Sequence, residues 1–311
     1  MSKATAIPTT RKSRRPLNSV SLPTEVLFHI IMLAFCLACI IPFIFVIIIS
    51  FSSMESLRLI GYSFRPQEWS LEAYEYVMKL GDQLWRSYFN SFFITILGTV
   101  LSLLVSIMYS YALFRRDFRF RGFFTFFAFF TMMFGGGLVP TYVICKAIGL
   151  SDNYAALIVP MLVNPFNLII MRTFFQSSVP EELIESASID GSNEYNTLFK
   201  IIIPIAKPGI ATVGLLYALA YWNEWFLAML YIQDPKYIPL QYLLNKMQQQ
   251  ADFLARNSSM IGAEAVKIAS ELPQDSLRMA LVVLIVIPIA FAYPFFQRYI
   301  IAGLTIGSVK G

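Results

Sequence analysis

The sequence predicts an all-α, polytopic membrane protein with six transmembrane helices and both termini in the cytoplasm. Hydrophobic residues make up 57% of the 311 residues and charged residues only 14%, whereas soluble domains contain about 25% charged residues. The apolar residues fall into six long runs, and arginine and lysine concentrate in alternate segments between them. Because cytoplasmic loops are enriched in basic residues, this distribution also predicts the orientation.

The first apolar run extends from Val26 to Phe51 and follows a basic segment, residues 1–24, which we predict to be a cytoplasmic tail. The run resembles the apolar part of a signal peptide, but it is too long for one and no small-residue cleavage site follows it. We therefore predict a retained transmembrane helix, the first residues of a membrane domain spanning 25–300. The mixed polar segment 52–86 follows it.

The second run, residues 88–114, ends at the sequence RRDFRFR, residues 115–121. Such a concentration of arginine in a short membrane hairpin is typical of the cytoplasmic side. The third run, 123–145, contains Gly135-Gly136-Gly137 and Pro140, which disfavour a regular helix. Because lipid cannot hydrogen-bond to a freed backbone, we expect this break to face protein or water.

The fourth run, 154–175, contains Asn164 and Asn167 on either side of Pro165 and Phe166. Amide side chains beside a helix-breaking proline are costly in lipid. They indicate either hydrogen bonds between helices or a polar cavity, and the sequence leaves both open.

The fifth run, 209–232, carries aromatic and polar residues towards its outer end. Tyr217, Tyr221 and Glu224 are spaced to share one helical face. They fit an aromatic belt at the membrane surface or a sugar-binding wall in which rings stack on sugar faces. Both interpretations stay open. The candidate pathway residues are Tyr217, Tyr221, Trp222, Asn223, Glu224, Asn164 and Asn167.

The longest predicted outer segment is 233–276, with helices expected over 241–256 and 263–271. The sixth run, 277–300, contains Pro288 and Pro294. Three glycines and one lysine in the last eleven residues, 301–311, predict a small extended cytoplasmic tail rather than another helix.

Several chemistries are disfavoured by the residues available. His29 is the single histidine, so a histidine-clustered metal site is excluded. Cys36 and Cys39 lie inside an apolar helix without a second pair, so we interpret them as packing residues. The chain has no phosphate-binding P-loop. We expect no catalytic residue, no metal and no cofactor bound by this chain, and no nucleic-acid partner.

Residues 180–208, PEELIESASIDGSNEYNTLFKIIIPIAKP, form the longest soluble-looking insert on the predicted cytoplasmic side. Apolar residues at helical spacing predict a first helix that Gly191 breaks, and Asn193 predicts the start of a second one. Pro204 and Pro208 are expected to end it. The apolar face of this 180–208 loop would dock to a partner or pack on the chain's own helices, and both alternatives are open.

The spacing within the loop resembles the EAA loop of bacterial ABC-importer permeases. Glu185-Ser186-Ala187, three residues, Gly191, nine residues, Ile201, one residue and Ile203-Pro204 follow that pattern. Ser186 stands where the family has alanine, and Ile203 where it has leucine. Asp190 is also typical of the sugar-transporting branch.

The chain end from Pro294 to Tyr299, with the glycines after it, resembles the maltose-type second permease subunit. It resembles more closely the LplC/YtcP-like polysaccharide and oligosaccharide subgroup of that family. This resemblance implies the type I importer fold and a position in the bacterial cell membrane. It also implies a second, non-identical permease subunit, a cytoplasmic ATPase dimer that uses ATP and Mg²⁺, and an extracytoplasmic sugar-binding lipoprotein that touches the 233–276 segment.

By this resemblance, the chain forms half of a translocation pathway and performs no chemistry itself. The implied ATPase-coupling residues are Glu185, Ser186, Ala187, Asp190, Gly191, Ile201 and Pro204. The implied ATPase-contacting tail residues are Gly303, Gly307, Lys310 and Gly311. An ion-coupled transporter or channel is the alternative, but Glu224 is the one carboxylate within a predicted span and no proton relay accompanies it.

Overall fold

The computed structural model describes residues 22–256 and 274–306. Within these ranges the regular elements are helices, and the one β contact is an isolated bridge between Ser52 and Trp69. The helices are α1 Leu22–Ser50, α2 Met54–Ile60, α3 Glu72–Met78, α4 Asp82–Phe114, α5 Arg121–Met133, α6 Leu138–Ala147, α7 Ala155–Ile158, α8 Pro165–Ser178, α9 Glu181–Ile189, α10 Glu194–Ile205, α11 Lys207–Trp222, α12 Phe226–Tyr231, α13 Leu240–Arg256 and α14 Gln274–Ile306. Short 3₁₀ turns cover Val159–Met161 and Pro235–Tyr237.

Three of the described helices, α1, α4 and α14, are long and apolar enough to cross a membrane. Three bent pairs would raise the number to six if each pair were one span. They are α5 with α6, bent by 117°, α7 and its 3₁₀ turn with α8, bent by 53°, and α10 with α11, bent by 84°. The chain is therefore a membrane protein by length and composition, and the count of six spans stays a prediction.

The breaks within the third and fourth apolar runs fall where the sequence predicts them. The α5–α6 break contains the three glycines, and Gly137 has a φ of 83°, which glycine adopts without strain. The α7–α8 break ends at Asn164, whose side chain accepts hydrogen bonds from the N–H groups of Phe166 and Asn167. The asparagine thus caps α8 and satisfies donors that lipid could not.

The structure gives the boundaries of three predicted helices. Among the described residues, helix α1 covers Leu22–Ser50, so it already includes the four residues before Val26. Helix α10 contains the π-helical turn Thr197–Ile202 and ends at Ile205, between Pro204 and Pro208, as the sequence predicts. Helix α14 continues to Ile306, so an extended tail over 301–306 is wrong. Gly303 costs only about 1 kcal/mol inside a helix, and its neighbours are mostly apolar.

Helix α4 lies at the centre of the packed part of the chain, against α8 and α11, while α14 packs on α11 and α1. The α4 face that meets α11 is lined by small residues, including Gly98 and the fully buried Ser102 and Ser106. A Cβ at Gly98 would lie 2.7 Å from the Tyr221 ring. Small residues therefore allow these two helices to approach closely, as is common between membrane helices.

Candidate functional site

The 180–208 loop folds as the two helices α9 and α10, joined at Gly191. Gly191 has a φ of 75°, a left-handed conformation that other residues adopt only with strain. The N–H of Ser192 donates to the Ala187 carbonyl over 2.9 Å, which closes the end of α9. The Asn193 side chain then accepts from the Asn196 N–H over 2.8 Å and caps α10. The turn predicted at Gly191 and the start predicted at Asn193 are confirmed.

The apolar residues of the loop divide between the two alternatives left open by the sequence. Ile184 and Ala187 are buried, so this part of the apolar face packs on the chain's own helices. Ile189 is 86% exposed and Tyr195 is 71% exposed, on either side of the Gly191 turn. Phe199 is exposed on α10. The tip of the loop thus presents large apolar side chains outward, which is typical of an interaction site.

The predicted coupling residues lie on the same loop at different depths. Glu185, Ser186, Asp190, Gly191 and Pro204 are exposed, Ala187 is buried and Ile201 is half-buried. The sequence reasoning did not select Ile189, Tyr195 and Phe199. The sequence did not provide a signal for them, because helical periodicity does not say which apolar residues of the loop escape burial.

Two consecutive arginines attach the loop to the end of α4. Arg115 Nη2 lies 3.1 Å from Glu194 Oε1, and Arg116 Nε lies 2.6 Å from Glu181 Oε1. Glu181 and Glu194 are the first residues of α9 and α10, where a carboxylate also interacts favourably with the helix dipole. We call these two ion pairs the arginine bridge. Each helix of the loop is therefore held at its N-terminus by one arginine.

Further hydrogen bonds reinforce the arginine bridge. The Tyr111 hydroxyl, in the last turns of α4, donates to the other oxygen of Glu194. Arg115 also binds both oxygens of Asp117. The hydrogen bond to Asp117 raises the pKa of Arg115, and the same contact lowers the pKa of the Asp117 carboxyl. A cavity of about 250 Å³, lined by Glu185, Ser188 and both arginines, lies between the bridge and α9.

Tyr217 and Tyr221, two of the predicted pathway residues, lie inside the protein. They are 1% and 3% exposed, and their hydroxyls bond to Ser106 Oγ and Ser102 Oγ over 2.8 and 2.9 Å. The Tyr221 hydroxyl also donates to the Ile158 carbonyl. Because their rings are enclosed between helices, they hold α11 against α4 rather than form an open wall.

Tyr217 also stabilises the break before α8. The backbone N–H of Asn164 donates to the Tyr217 hydroxyl over 3.2 Å. Asn164 therefore makes hydrogen bonds at this break, because its side chain caps α8 and its backbone N–H bonds to Tyr217 of α11. Since Asn164 is exposed, the alternative of a polar cavity stays a prediction. The Asn167 side chain is buried beside Asn164.

The outer end of α11 differs from the prediction. The helix ends at Trp222, so Glu224 does not share the face of Tyr217 and Tyr221, and the fifth run is not one continuous helix to residue 232. The reason is local, because Glu224 Oε1 accepts from the Leu227 N–H over 2.7 Å and starts α12.

Trp222 and Asn223 lie on opposite sides of this helix end. Trp222 is buried, and its Nε1–H donates to the Ile285 carbonyl on α14. Asn223 is exposed and bonds to Leu219 and Gln241. The seven pathway residues therefore do not form one surface. A role of the exposed Asn164 and Asn223 in substrate passage stays a prediction.

Some of the remaining predictions concern residues outside the described ranges. Gly303 lies in α14, whereas Gly307, Lys310 and Gly311 lie outside the described residues, as does the helix expected over 263–271. The helix expected over 241–256 is present as α13. In the described ranges, no three histidine, cysteine, aspartate or glutamate side chains are grouped as a metal site requires.

Comparison with known proteins gives one consistent family. Residues 98–306 match the family described as binding-protein-dependent transport system inner membrane component. The chain is 39% identical over 287 residues to the polygalacturonan/rhamnogalacturonan transport system permease protein YtcP of Bacillus subtilis (strain 168), covering 92% of this chain and 98% of that one. It is 40% identical over 272 residues to the protein LplC of the same organism, covering 88% and 90%.

A solved structure has the same fold. A bacterial ABC transporter involved in the import of the acidic polysaccharide alginate contains a chain that is 30% identical in sequence, with a TM-score of 0.74. The match covers 92% of this chain and 100% of that one.

Proposed function

Because the chain belongs to the family of binding-protein-dependent transport system inner membrane components, we propose that it is the permease subunit of an ATP-driven oligosaccharide or polysaccharide importer. The single observation that best supports this function is the structure of the 180–208 loop. The spacing from Glu185 to Pro204 coincides there with two capped helices and an exposed apolar tip.

The tip of the loop has the character of a docking surface for the ATPase. A helix that lays apolar side chains into a groove is a common recognition mode. Ile189 and Tyr195 would enter such a groove beside the Gly191 turn, and the exposed Glu185 and Asp190 would face its basic rim. In this proposal Ser186, Ala187, Ile201 and Pro204 shape the two helices, and the coupling residues act together as one rigid element.

A continuous set of contacts leads from this loop into the membrane helices. The arginine bridge ties α9 and α10 to the end of α4. Ser102 and Ser106 of α4 bind Tyr221 and Tyr217 of α11, and these two tyrosines bind the α7–α8 break. When ATP-driven closure of the ATPases moves the loop, α4, α8 and α11 would therefore move with it, and the translocation pathway would open or close.

The partners belong to the proposal as well. A second, non-identical permease subunit would complete the pathway, and a sugar-binding lipoprotein would deliver the substrate from outside. The chain would lie in the bacterial cell membrane with the 180–208 loop on the cytoplasmic side, because that loop is bonded to the arginine-rich segment 115–121. Gly303 and the residues after it would extend towards the ATPases.

Reconstitution tests the proposed function. The assembled complex in proteoliposomes should take up oligosaccharide only under two conditions. ATP must be present on the side of the membrane that carries the ATPases, and sugar-loaded binding protein must be present on the opposite side. Collapse of proton and sodium gradients should leave uptake unchanged. Uptake that follows an ion gradient without ATP would favour a secondary transporter. Against that alternative, the Glu224 carboxylate already accepts a hydrogen bond from the Leu227 N–H in the first turn of α12.

A further inference from the structure

Helix α14 runs through Pro288, a proline that leaves one carbonyl of the helix without its usual partner. A helical N–H donates to the carbonyl four residues earlier, and proline has no N–H. The carbonyl that loses its partner is therefore that of Leu284. Because lipid offers no donor, a neighbouring helix has to satisfy this carbonyl inside a membrane.

Two aromatic side chains from two other helices donate hydrogen bonds to this turn of α14. The Tyr88 hydroxyl of α4 donates to the Leu284 carbonyl over 3.2 Å. The Trp222 Nε1–H, at the end of α11, donates to the carbonyl of the next residue, Ile285, also over 3.2 Å. We call these two hydrogen bonds the proline clamp. The clamp joins α14 to both α4 and α11 at the turn that Pro288 weakens.

The second proline inside α14 has no such support. The carbonyl four residues before Pro294 is that of Ala290, and both residues are exposed. Among the described residues, no side chain donates a hydrogen bond to the Ala290 carbonyl. The donors from α4 and α11 are therefore specific to the turn before Pro288.

Pro288 also lies where α14 changes from packed to exposed. Four residues of the part before it are buried, namely Leu277, Ala280, Leu281 and Val283. After it, every residue from Ala290 to Phe295 is exposed. The part before Pro288 thus belongs to the packed helices, and the weakened turn separates it from a part that this chain leaves uncovered.

We propose that Pro288 is a hinge of α14 and that the proline clamp holds the packed part of this helix against α4 and α11. Tyr88 and Trp222 are then positioning residues, because they act through the carbonyls of α14. A helix bends most readily at a proline, where one backbone hydrogen bond is missing. During transport, the exposed part of α14 would change its angle to the packed part. This movement rests on the proposed function, whereas the clamp does not.

A double-mutant cycle tests the proline clamp. Tyr88→Phe removes only the hydroxyl, so the unfolding equilibrium constant should rise about five- to tenfold, as expected for about one net hydrogen bond. Pro288→Ala restores a backbone N–H that can bond to the Leu284 carbonyl. In that background, Tyr88→Phe should therefore change the constant by less than about twofold. Denaturant unfolding of the full-length subunit in detergent measures all the variants.

Pro294→Ala is the matched control background, because it restores an N–H to the same helix but not at the clamp. There, Tyr88→Phe should raise the unfolding constant as much as in the natural chain. An equal effect of Tyr88→Phe in the Pro288→Ala and Pro294→Ala backgrounds would overturn the clamp. The unfolding experiment needs no transport, so its result is independent of the importer function.

Spin-label distances in the assembled complex test the hinge. One label pair would replace Phe89 of α4 and Val282 before Pro288, and the other Val100 of α4 and Tyr293 after it, all of them exposed. Addition of ATP should shift the distance to position 293 and leave the distance to position 282 unchanged. Pro288→Ala should reduce that shift, and Pro294→Ala should not. Equal shifts of both distances, or no shift of either, would overturn the hinge.

Discussion

Individual residues decide the conformation of the 180–208 loop. Gly191 is the position at which a side chain would strain the turn, and nothing lies within 4 Å of a Cβ built there. A substitution would therefore act through backbone strain and, in our proposal, through the ATPase groove, not through a clash inside this chain. The helix break at Gly191 was predictable from the sequence. The outward direction of Ile189 was not, since periodicity alone does not say which apolar residue escapes burial.

Two replacements of Gly191 separate the effect of backbone strain from the effect of side-chain size. Gly191→Asn should keep ATP-driven uptake within about twofold, because asparagine tolerates a left-handed φ. Gly191→Trp should lower uptake more than tenfold, since strain of about 1–2 kcal/mol is added to an obstructed groove. Uptake would be measured in proteoliposomes, with membrane insertion checked by protein recovery. Normal uptake in Gly191→Trp would exclude a coupling role for this turn.

The Tyr217 hydroxyl makes a residue-scale prediction about stability. Tyr217→Phe leaves the buried Ser106 hydroxyl and the partly buried Asn164 N–H without their partner, which should lower the free energy of unfolding by about 1–3 kcal/mol. Denaturant unfolding of the purified subunit in detergent measures this. Tyr62→Phe is the control, because Tyr62 is 54% exposed and bonds only to the surface carboxylate of Asp275. Equal stability of both variants would show that Tyr217 does not hold the break.

At the scale of elements, the arginine bridge and the helix breaks position the loop relative to the membrane. The breaks at Gly135–Gly137 and Asn164 were predictable, because glycine, proline and asparagine act through local backbone geometry. The end of α11 was not, since Glu224 resembles one more residue of a helical face until its capping bond is seen. The bridge itself joins residues about 65 to 80 positions apart, and no local pattern contains such a pairing.

Glu194→Gln tests whether the bridge transmits movement. Loss of the charge weakens the contacts to Arg115 and Tyr111, so the number of sugars moved per ATP should fall by a factor of about 2 to 5, as expected for a partly exposed pair of about 0.5–1 kcal/mol. Simultaneous assays of ATP hydrolysis and uptake give this ratio. Glu72→Gln is the control, because Glu72 likewise begins a helix, α3, but is exposed and far from the loop. An unchanged ratio in Glu194→Gln would assign the bridge to stability alone.

At the scale of the whole molecule, much of the apolar surface has no partner within this chain. Most side chains of α1 from Leu22 to Phe43 are exposed, as are the phenylalanines of α5. Such surfaces suit lipid and a second permease subunit. The membrane class and the family were predictable from composition and from the spacing in the 180–208 loop. The bent pairs were predictable only in part, because the 84° bend between α10 and α11 depends on how the loop packs.

The most direct test of the central claim is the amount of ATPase that co-purifies with the permease carrying Ile189→Asp. Ile189 is the most exposed apolar residue of the loop tip, so a charge there should remove most bound ATPase and, with it, ATP-driven uptake. Leu59→Asp is the matched control, because Leu59 is 67% exposed but lies on α2, outside the loop. We predict normal ATPase binding for Leu59→Asp and its loss for Ile189→Asp. Full ATPase binding and uptake by Ile189→Asp would contradict the account.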